Sequence, residues 1–534
     1  MRRWNGWGEQ STTYPLPAAA LEYLERLAGQ GHPATDAGFP EVVAAIPATR
    51  LPAHPLVKGD ACERLLHARG QSLPDWVALR SGRIGVTPDG VAYPHSDADV
   101  RQLLSYTRQA GACLIPYGGG TSVVGHINPL PGDRPVLTVD LAHMRRLLDL
   151  NVVDRLATFE AGVRGPDLEQ QLNRHGFTLG HFPQSFEHST LGGWIATRST
   201  GQQSYFYGRI EDLFAGGRLE TPEAPLDLRP LPASAAGPDL RQLVLGSEGR
   251  LGILTRACMR IQPLPEVDEF YGVFFPDWES GAAAVRAIAQ ARLPISMARL
   301  SDPVETETTL ALAGKECLVG LARRGLRLAG YGARRCLLVF GVIGDRKQTA
   351  AARAQVARLL RRYGGLQTGR TIGNLWRKAR FYTPYLRNTL WEYGYALDTL
   401  ETALRWSEIL PTAAQARQAL HSALVAAGGG GAPGGLVFAH LSHIYHDGAS
   451  LYVTYLFPRS PDPDETLATW RAAKAAASRV ILAHGGTISH QHGIGSDHAA
   501  YLVEEKGPAG LAWLAAACRA ADPDGILNPG KLLE

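Results

Sequence analysis

The stretch from Ile115 to His126, IPYGGGTSVVGH, limits what this chain can become more than any other: three consecutive glycines and two hydroxyl residues follow an apolar, β-type run. Glycine lets backbone N–H groups converge with no Cβ in the way, so a strand ending in such a run can present an anion-binding concavity. A nucleotide P-loop needs G-x-x-x-x-G-K-[ST]. Gly120 to Gly125 has the glycine spacing, but His126 and Ile127 stand where the lysine and the magnesium-binding hydroxyl belong. The dinucleotide fingerprint G-x-G-x-x-G, started at Gly118, ends on Val123. ATP and a standard Rossmann dinucleotide are therefore disfavoured. A tight turn whose glycines only relieve sterics is the competing reading of the triplet in isolation.

The chain has 534 residues, 45% hydrophobic and 19% charged, which predicts a globular protein of about two to four units. A net charge of +4 without a lysine-rich run argues against a nucleic-acid partner. Cys62, Cys113, Cys258, Cys317, Cys336 and Cys518 are scattered, with no C-x-x-C, and read as isolated thiols of a reducing compartment. The opening residues lack an apolar signal core, and no apolar run of about 18 residues occurs. The terminal KLLE is not the peroxisomal S-K-L. A cytoplasmic location is expected, with any membrane contact peripheral.

Along the chain, residues 1–83 carry no chemical motif and read as an N-terminal extension or cap. From 84 to 265, short strands and helices alternate irregularly, an α+β pattern. Asp97 is expected to cap an amphipathic helix through Val100, Leu103, Leu104 and Thr107. PVLTVDL and ATFEAGV read as strands, and LVLGSEGRLGILTRACMRIQPLP as a glycine-punctuated strand. From 266 to 480 the pattern becomes strand, helix, strand, with a flexible glycine link at Ala426–Gly435. Residues 481–534 form a closing segment. Three small-residue loops, PYGGGTS, QSFEHSTLGGW and GSEGRLGIL, are ordered so that they could wrap a long, flat, anionic cofactor.

That series resembles the flavin-binding domain of the vanillyl-alcohol oxidase and p-cresol methylhydroxylase superfamily. The resemblance implies an α+β fold: a two-subdomain, PCMH-type FAD-binding domain at 84–265, an α/β cap or substrate domain with an antiparallel sheet at 266–480, and a C-terminal segment completing the site. It places the FAD pyrophosphate on Pro116, Tyr117, Gly118, Gly119, Gly120, Thr121 and Ser122. Gln184, Ser185, Phe186, Glu187, His188, Ser189 and Thr190 would form a second loop. Thr197, Arg198, Ser199 and Thr200 would follow. Glu248, Gly249, Arg250, Leu251, Gly252, Ile253 and Leu254 would complete the FAD site.

WNGWG at Trp4–Gly8, YGRIEDL at Tyr207–Leu213, YLRNTLWEYGYALDTLETA at Tyr385–Ala403, DGASLYVTY at Asp447–Tyr455 and GGTISHQHGIG at Gly485–Gly495 extend the resemblance to the alkyldihydroxyacetonephosphate synthase family. It implies exchange of the acyl group of acyl-dihydroxyacetone phosphate for a fatty alcohol, without net redox change, through an adduct at flavin N5. The family's catalytic tyrosine falls on Tyr452, and its phosphate-binding arginine on Arg387. A further required arginine falls on Arg299, an active-site histidine on His181, and a histidine cluster on His490 and His492. Thr399 stands where the family has a substrate-binding serine. Gln491 replaces the middle histidine of the cluster, and Ser496 replaces a lysine. A homodimer acting on a lipid substrate, without a metal ion, completes the expectation.

Taken one residue at a time, the chain leaves other readings open. Tyr452 alternates with core residues of a strand, Arg387 on a helix suits a solvated or ion-paired arginine, and His490 and His492 share one face of a strand as a structural or metal pair. The rival enzyme reading is a D-2-hydroxyacid dehydrogenase or oxidase of the same superfamily. There LSHIYHDGASLY supplies His443 and His446, but Leu451 and Tyr452 stand where the second metal ligand belongs. A flavin-binding protein without turnover ranks last.

Overall fold

Successive side chains of a strand point to opposite faces, so parity decides which residues beyond position 266 can share a cavity. The computed structural model describes residues 2–314, 316–428 and 433–533, with the main chain alone at 316–318. The Cys317 side chain and the middle of the Ala426–Gly435 link lie outside the described residues. Strands Leu366–Gln367, Val267–Phe275, Cys336–Gly344, Met297–Ser301, Leu436–Ile444, Gly448–Pro458 and Tyr395–Arg405 pair in that order into one antiparallel sheet. Ala298, Leu300, Leu338, Phe340, Ala439, Leu441, Val453 and Tyr455 point to one face and share a hydrophobic core. Helices Trp278–Gln290, Arg346–Arg362, Trp406–Ala427 and Pro463–Ala483 cover that face. The residues of opposite parity, Arg299, Thr399, His440 and Tyr452, line a cavity instead.

The glycine loop belongs to a second body. Strands Val57–Lys58, Gly90–Ala92, Val136–Asp140 and Cys113–Tyr117 form one sheet, the last three parallel. Leu147–Asn151, Leu156–Glu160, Ile253–Arg260, Phe214–Glu220 and Leu226–Leu228 form an antiparallel second sheet. Both share one apolar core, which includes Leu114, Leu137, Phe159 and Ala257. The chain's last segment returns here: Leu114 N–H donates to Ile526 O (2.7 Å) and Asn528 N–H to Leu114 O (2.8 Å).

Several expectations need correction. The cap of helix Asp97–Gln109 is Ser96, whose Oγ accepts the Asp99 N–H at 3.2 Å, because Ser96 is the last residue in extended conformation. The expected strand from Leu243 begins only at Ile253; Arg241–Val244 is a helical turn, and the glycines that follow are a bend. His490 and His492 lie on no strand. Within the first 83 residues, Trp7, Leu73 and Trp76 pack into the core of the seven-stranded sheet, while Val42, Leu65, Ala68 and Leu79 form a small cluster of their own with Ile84.

Phe340 is 1% exposed in an interior strand, stacked on Tyr271 at 5.5 Å. Phe340→Ala should cost about 3–5 kcal/mol and lower the melting temperature in scanning calorimetry, with Phe340→Leu costing much less.

Candidate active site

Strand Cys113–Tyr117 delivers Gly118 and Gly119 against the loop of His188 and Thr190. A Cβ on Gly118 would stand 2.2 Å from Thr190 Oγ1, and one on Gly119 2.0 Å from His188 O. Only glycine allows this approach. Gly120 turns the chain at φ +63°, and Ser122 Oγ closes the bend by accepting the His126 N–H at 3.1 Å. Glu248, itself at φ +53°, receives the N–H groups of Ile494 and Gly495 and ties the closing segment to this wall.

Between this wall and the seven-stranded sheet lies a cavity of about 1340 Å³. Of the residues expected to hold the cofactor, all of Pro116–Ser122 line it, with Gln184, Ser185, Ser189, Thr190, Thr197, Ser199, Thr200, Glu248, Gly249, Gly252, Ile253 and Leu254. A glycine cradle with hydroxyl-rich walls and a long cavity fits the pyrophosphate and flavin ends of FAD. Phe186, Glu187, His188, Arg198, Arg250 and Leu251 do not line it. Phe186 stacks on Phe381 at 5.1 Å, Arg198 reaches Glu211 at 3.5 Å, and Arg250 donates to Leu527 O.

Across the cavity, register places Tyr452 between Glu401 and His440 on its two neighbouring strands. Its ring stacks on His440 at 4.8 Å, and its hydroxyl donates to Thr399 Oγ1 at 3.2 Å. Burial, reinforced by the Glu401 charge, raises the Tyr452 phenol above its ordinary range, so it is protonated at neutral pH. Arg299 donates to Glu305 (2.7 Å) and Ser301 (3.1 Å), and His440 Nδ1 lies 3.0 Å from the same Glu305 oxygen. Burial alone would raise the Glu305 carboxyl, but Arg299 and His440 reverse the shift and hold it ionised.

Arg387 enters from helix Leu386–Glu392, its guanidinium 4.4 Å over Trp76. Nη1 donates to Gln71 O, whereas Nη2 is buried without a protein partner. Burial pulls its pKa down to about 10, despite Asp398 and Asp75. A buried guanidinium with one nitrogen bonded and another left without a protein partner, on a residue that lines the cavity, is suited to an external oxyanion.

His181 and His490 do not line the cavity. His181 lies beneath the flavin-side wall, bonded to Ser199 Oγ at 3.2 Å and packed on Trp194, and burial drops its pKa to about 3. His490 serves Glu401: Nδ1 donates to Oε1 at 3.0 Å, and Nε2 accepts from Tyr445 at 2.6 Å. Glu401 also accepts from Ser450 (2.7 Å) and Gln491 (2.6 Å), with His492 at 3.7 Å. The other end of Gln491 accepts the Thr200 N–H at 3.2 Å. Glu401, His443 and His490 bring ligand atoms within 4.8 Å of one another, close enough for a metal ion. Each already bonds within the protein, His443 to Ser204, and His446 is exposed. Sequence reasoning missed Glu305, Glu401 and His440. No local pattern marks the His440–Glu305 and His490–Glu401 pairs, whose members are 135 and 89 positions apart.

Residues 88–224 match the family described as FAD binding domain, and 264–532 match FAD linked oxidases, C-terminal domain. Fold and site together are those of an FAD-binding, FAD-linked-oxidase-type protein. The alkyldihydroxyacetonephosphate synthase of Dictyostelium discoideum is 31% identical over 98% of this chain and 85% of its own length. A solved alkyldihydroxyacetonephosphate synthase superposes with a TM-score of 0.84 at 27% identity, covering 99% of this chain and 98% of that one. p-Cresol methylhydroxylase, at 15% identity, 90% and 94% coverage and a TM-score of 0.68, shares the fold. The chain belongs to the alkyldihydroxyacetonephosphate synthase family.

Burial alone would raise the Glu401 carboxyl, but the His490 hydrogen bond and the neighbouring histidines bring it well below the usual carboxylate range. Its stabilising contribution is therefore present above about pH 4.3 and fades as pH falls below that value. Glu401→Gln should melt lower than the parent at pH 7, and calorimetry should show the gap closing below about pH 4.

Proposed function

We propose that this protein is an FAD-dependent alkyldihydroxyacetonephosphate synthase, exchanging the acyl group of acyl-dihydroxyacetone phosphate for a fatty alcohol in ether-lipid synthesis. One observation carries the reading: Arg387, whose buried Nη2 has no protein partner, and Tyr452, with its protonated phenol, line the same cavity as the glycine cradle. Residues 84–265 would hold the FAD and 266–480 the substrate. When bound, FAD supplies a nucleophilic flavin nitrogen that no side chain offers.

Arg387 would grip the substrate phosphate in the bidentate geometry that a guanidinium favours. Tyr452 would hold the mobile proton at its phenolic oxygen, with Thr399 as its resting acceptor and His440 fixing the plane of its ring. Arg299, anchored by Glu305, would place positive charge beside the departing carboxylate. His492, its pKa lowered by burial, is a neutral neighbour whose ring meets Tyr452 edge-on at 5.9 Å. His181 and His490 would act from behind the cavity wall. Phe274, Met297, Leu326, Leu366 and Trp376 line an apolar arm suited to an aliphatic chain.

Among the described residues no helix is long and apolar enough to cross a membrane. A peripheral contact is supported by helix Glu316–Leu328. Leu321 and Leu328 are 69% and 90% exposed beside Arg323, Arg324 and Arg327, while Ala322 and Leu326 line the apolar arm. A homodimer belongs to the same reading, and sedimentation would test it.

The deciding experiment mixes purified protein anaerobically with acyl-dihydroxyacetone phosphate or with D-2-hydroxyacids. Release of fatty acid from the first is expected. Flavin bleaching by the second, without fatty-acid release, would assign hydroxyacid dehydrogenation instead. Tyr452→Phe should retain flavin and lose fatty-acid release by at least about 100-fold, the usual size of a general acid–base contribution; unchanged turnover would remove the tyrosine from the chemistry.

A further inference from the structure

Residues 2–9 lie between the two ends of the site and touch both. Arg2 pairs with Glu9 in an antiparallel bridge, and Arg3 N–H donates to Gly8 O at 2.8 Å, so the segment folds back on itself. At one end the Arg2 guanidinium donates to Tyr117 Oη at 3.1 Å and to Gly120 O at 3.4 Å. Both acceptors are uncharged. In a planar trans peptide, C=O and the following N–H point in opposite directions. With Gly120 O turned to Arg2, the Thr121 N–H is turned away from it, and Thr121 lines the cavity. A cation on the carbonyl side also strengthens that N–H as a donor.

At the other end, Trp7 N–H donates to Asn388 Oδ1, and Asn388 Nδ2 donates to Trp7 O, both at 3.0 Å. Asn388 follows Arg387 on its short helix. Gly6 O accepts from Gln71 Nε2 at 3.3 Å, and Gln71 Oε1 accepts from Trp76 Nε1 at 2.9 Å. The main-chain oxygen of Gln71 and the ring of Trp76 are the two groups that hold Arg387.

We propose that residues 2–9 are a strap positioning both binding ends: Arg2 orients the Gly120–Thr121 peptide toward the FAD pyrophosphate, and the Trp7–Asn388 clamp sets Arg387 for the substrate phosphate. Arg2 and Asn388 are positioning residues, acting through Thr121 and Arg387. The inference rests on the FAD and phosphate readings above.

Holoenzymes of the parent, Arg2→Met, Arg2→Lys and Asn388→Leu test it. FAD dissociation is read by equilibrium ultrafiltration with flavin fluorescence, and KM and kcat are measured with acyl-dihydroxyacetone phosphate. Arg2→Met should raise the FAD Kd about tenfold, the size of one charge-assisted hydrogen bond, and Arg2→Lys should recover most of the loss. Asn388→Leu should raise KM about tenfold with kcat and FAD Kd held. Variants that melt lower yet keep the parental FAD Kd and KM would reduce the strap to packing and overturn the proposal. Arg2→Lys keeps it falsifiable should Arg2→Met not fold, since a Kd equal to that of a folded Arg2→Gln would equally overturn it. A parent protein that retains no FAD would fail the cofactor reading itself, and the strap's role with it, a result distinct from variants that match a flavin-loaded parent.

Discussion

A carboxylate buried away from water must be met by donors, and the reacting half of this molecule is organised around one, Glu401. Its donors come from an adjacent strand (Ser450) and from the closing segment (His490 and Gln491). Gln491 extends the network to the flavin-side wall by accepting the Thr200 N–H. One negative charge thus holds together the seven-stranded sheet, the C-terminal segment and the glycine-loop body. Together with burial, the larger cause, it also raises the neighbouring Tyr452 phenol. Glu305 repeats the arrangement on a smaller scale, fixing Arg299 and His440.

The cavity's lining is chemically mixed. Glycine backbone and hydroxyl groups, the Tyr452, Arg299 and Arg387 side chains, and the apolar cluster of Phe274, Met297, Leu326, Leu366 and Trp376 all contribute to its lining. That mixture suits a substrate with an anionic head and an apolar tail, because each part can be desolvated against a matching surface. Gln491 is informative here. It fills a position where the family resemblance leads one to expect histidine, and its amide donates to Glu401 while accepting from Thr200, so it bridges the two bodies without adding a titratable group.

Much of the fold was legible in local pattern. The strand before the glycines, the long helix at Arg346–Arg362 and the strand bearing Tyr452 all follow from periodicity. Where local reading failed, a competing contact won. Ser96, not Asp97, caps its helix, leaving Asp97 to pair with Arg256. His490 and His492 alternate like strand residues but are irregular, because both turn toward Glu401. The N-terminal residues, with no chemical motif of their own, became part of the site through main-chain groups that carry no sequence signature.

By itself the sequence determined that an apolar strand runs into a glycine-rich loop, that this loop suits neither ATP nor a Rossmann dinucleotide, and that Arg387 and Tyr452 sit in segments resembling a flavoenzyme family. Tertiary structure alone decided which charges meet. Glu401 and His440 matter because antiparallel register and side-chain parity bring them beside Tyr452, and Glu305 because helix Pro303–Leu312 carries it onto Arg299. Gln71, 316 residues away, accepts from Arg387 Nη1, while Nη2 is left without a protein partner. Local pattern encodes backbone conformation, whereas the charge state and free valence of a buried group depend on neighbours that only folding assembles.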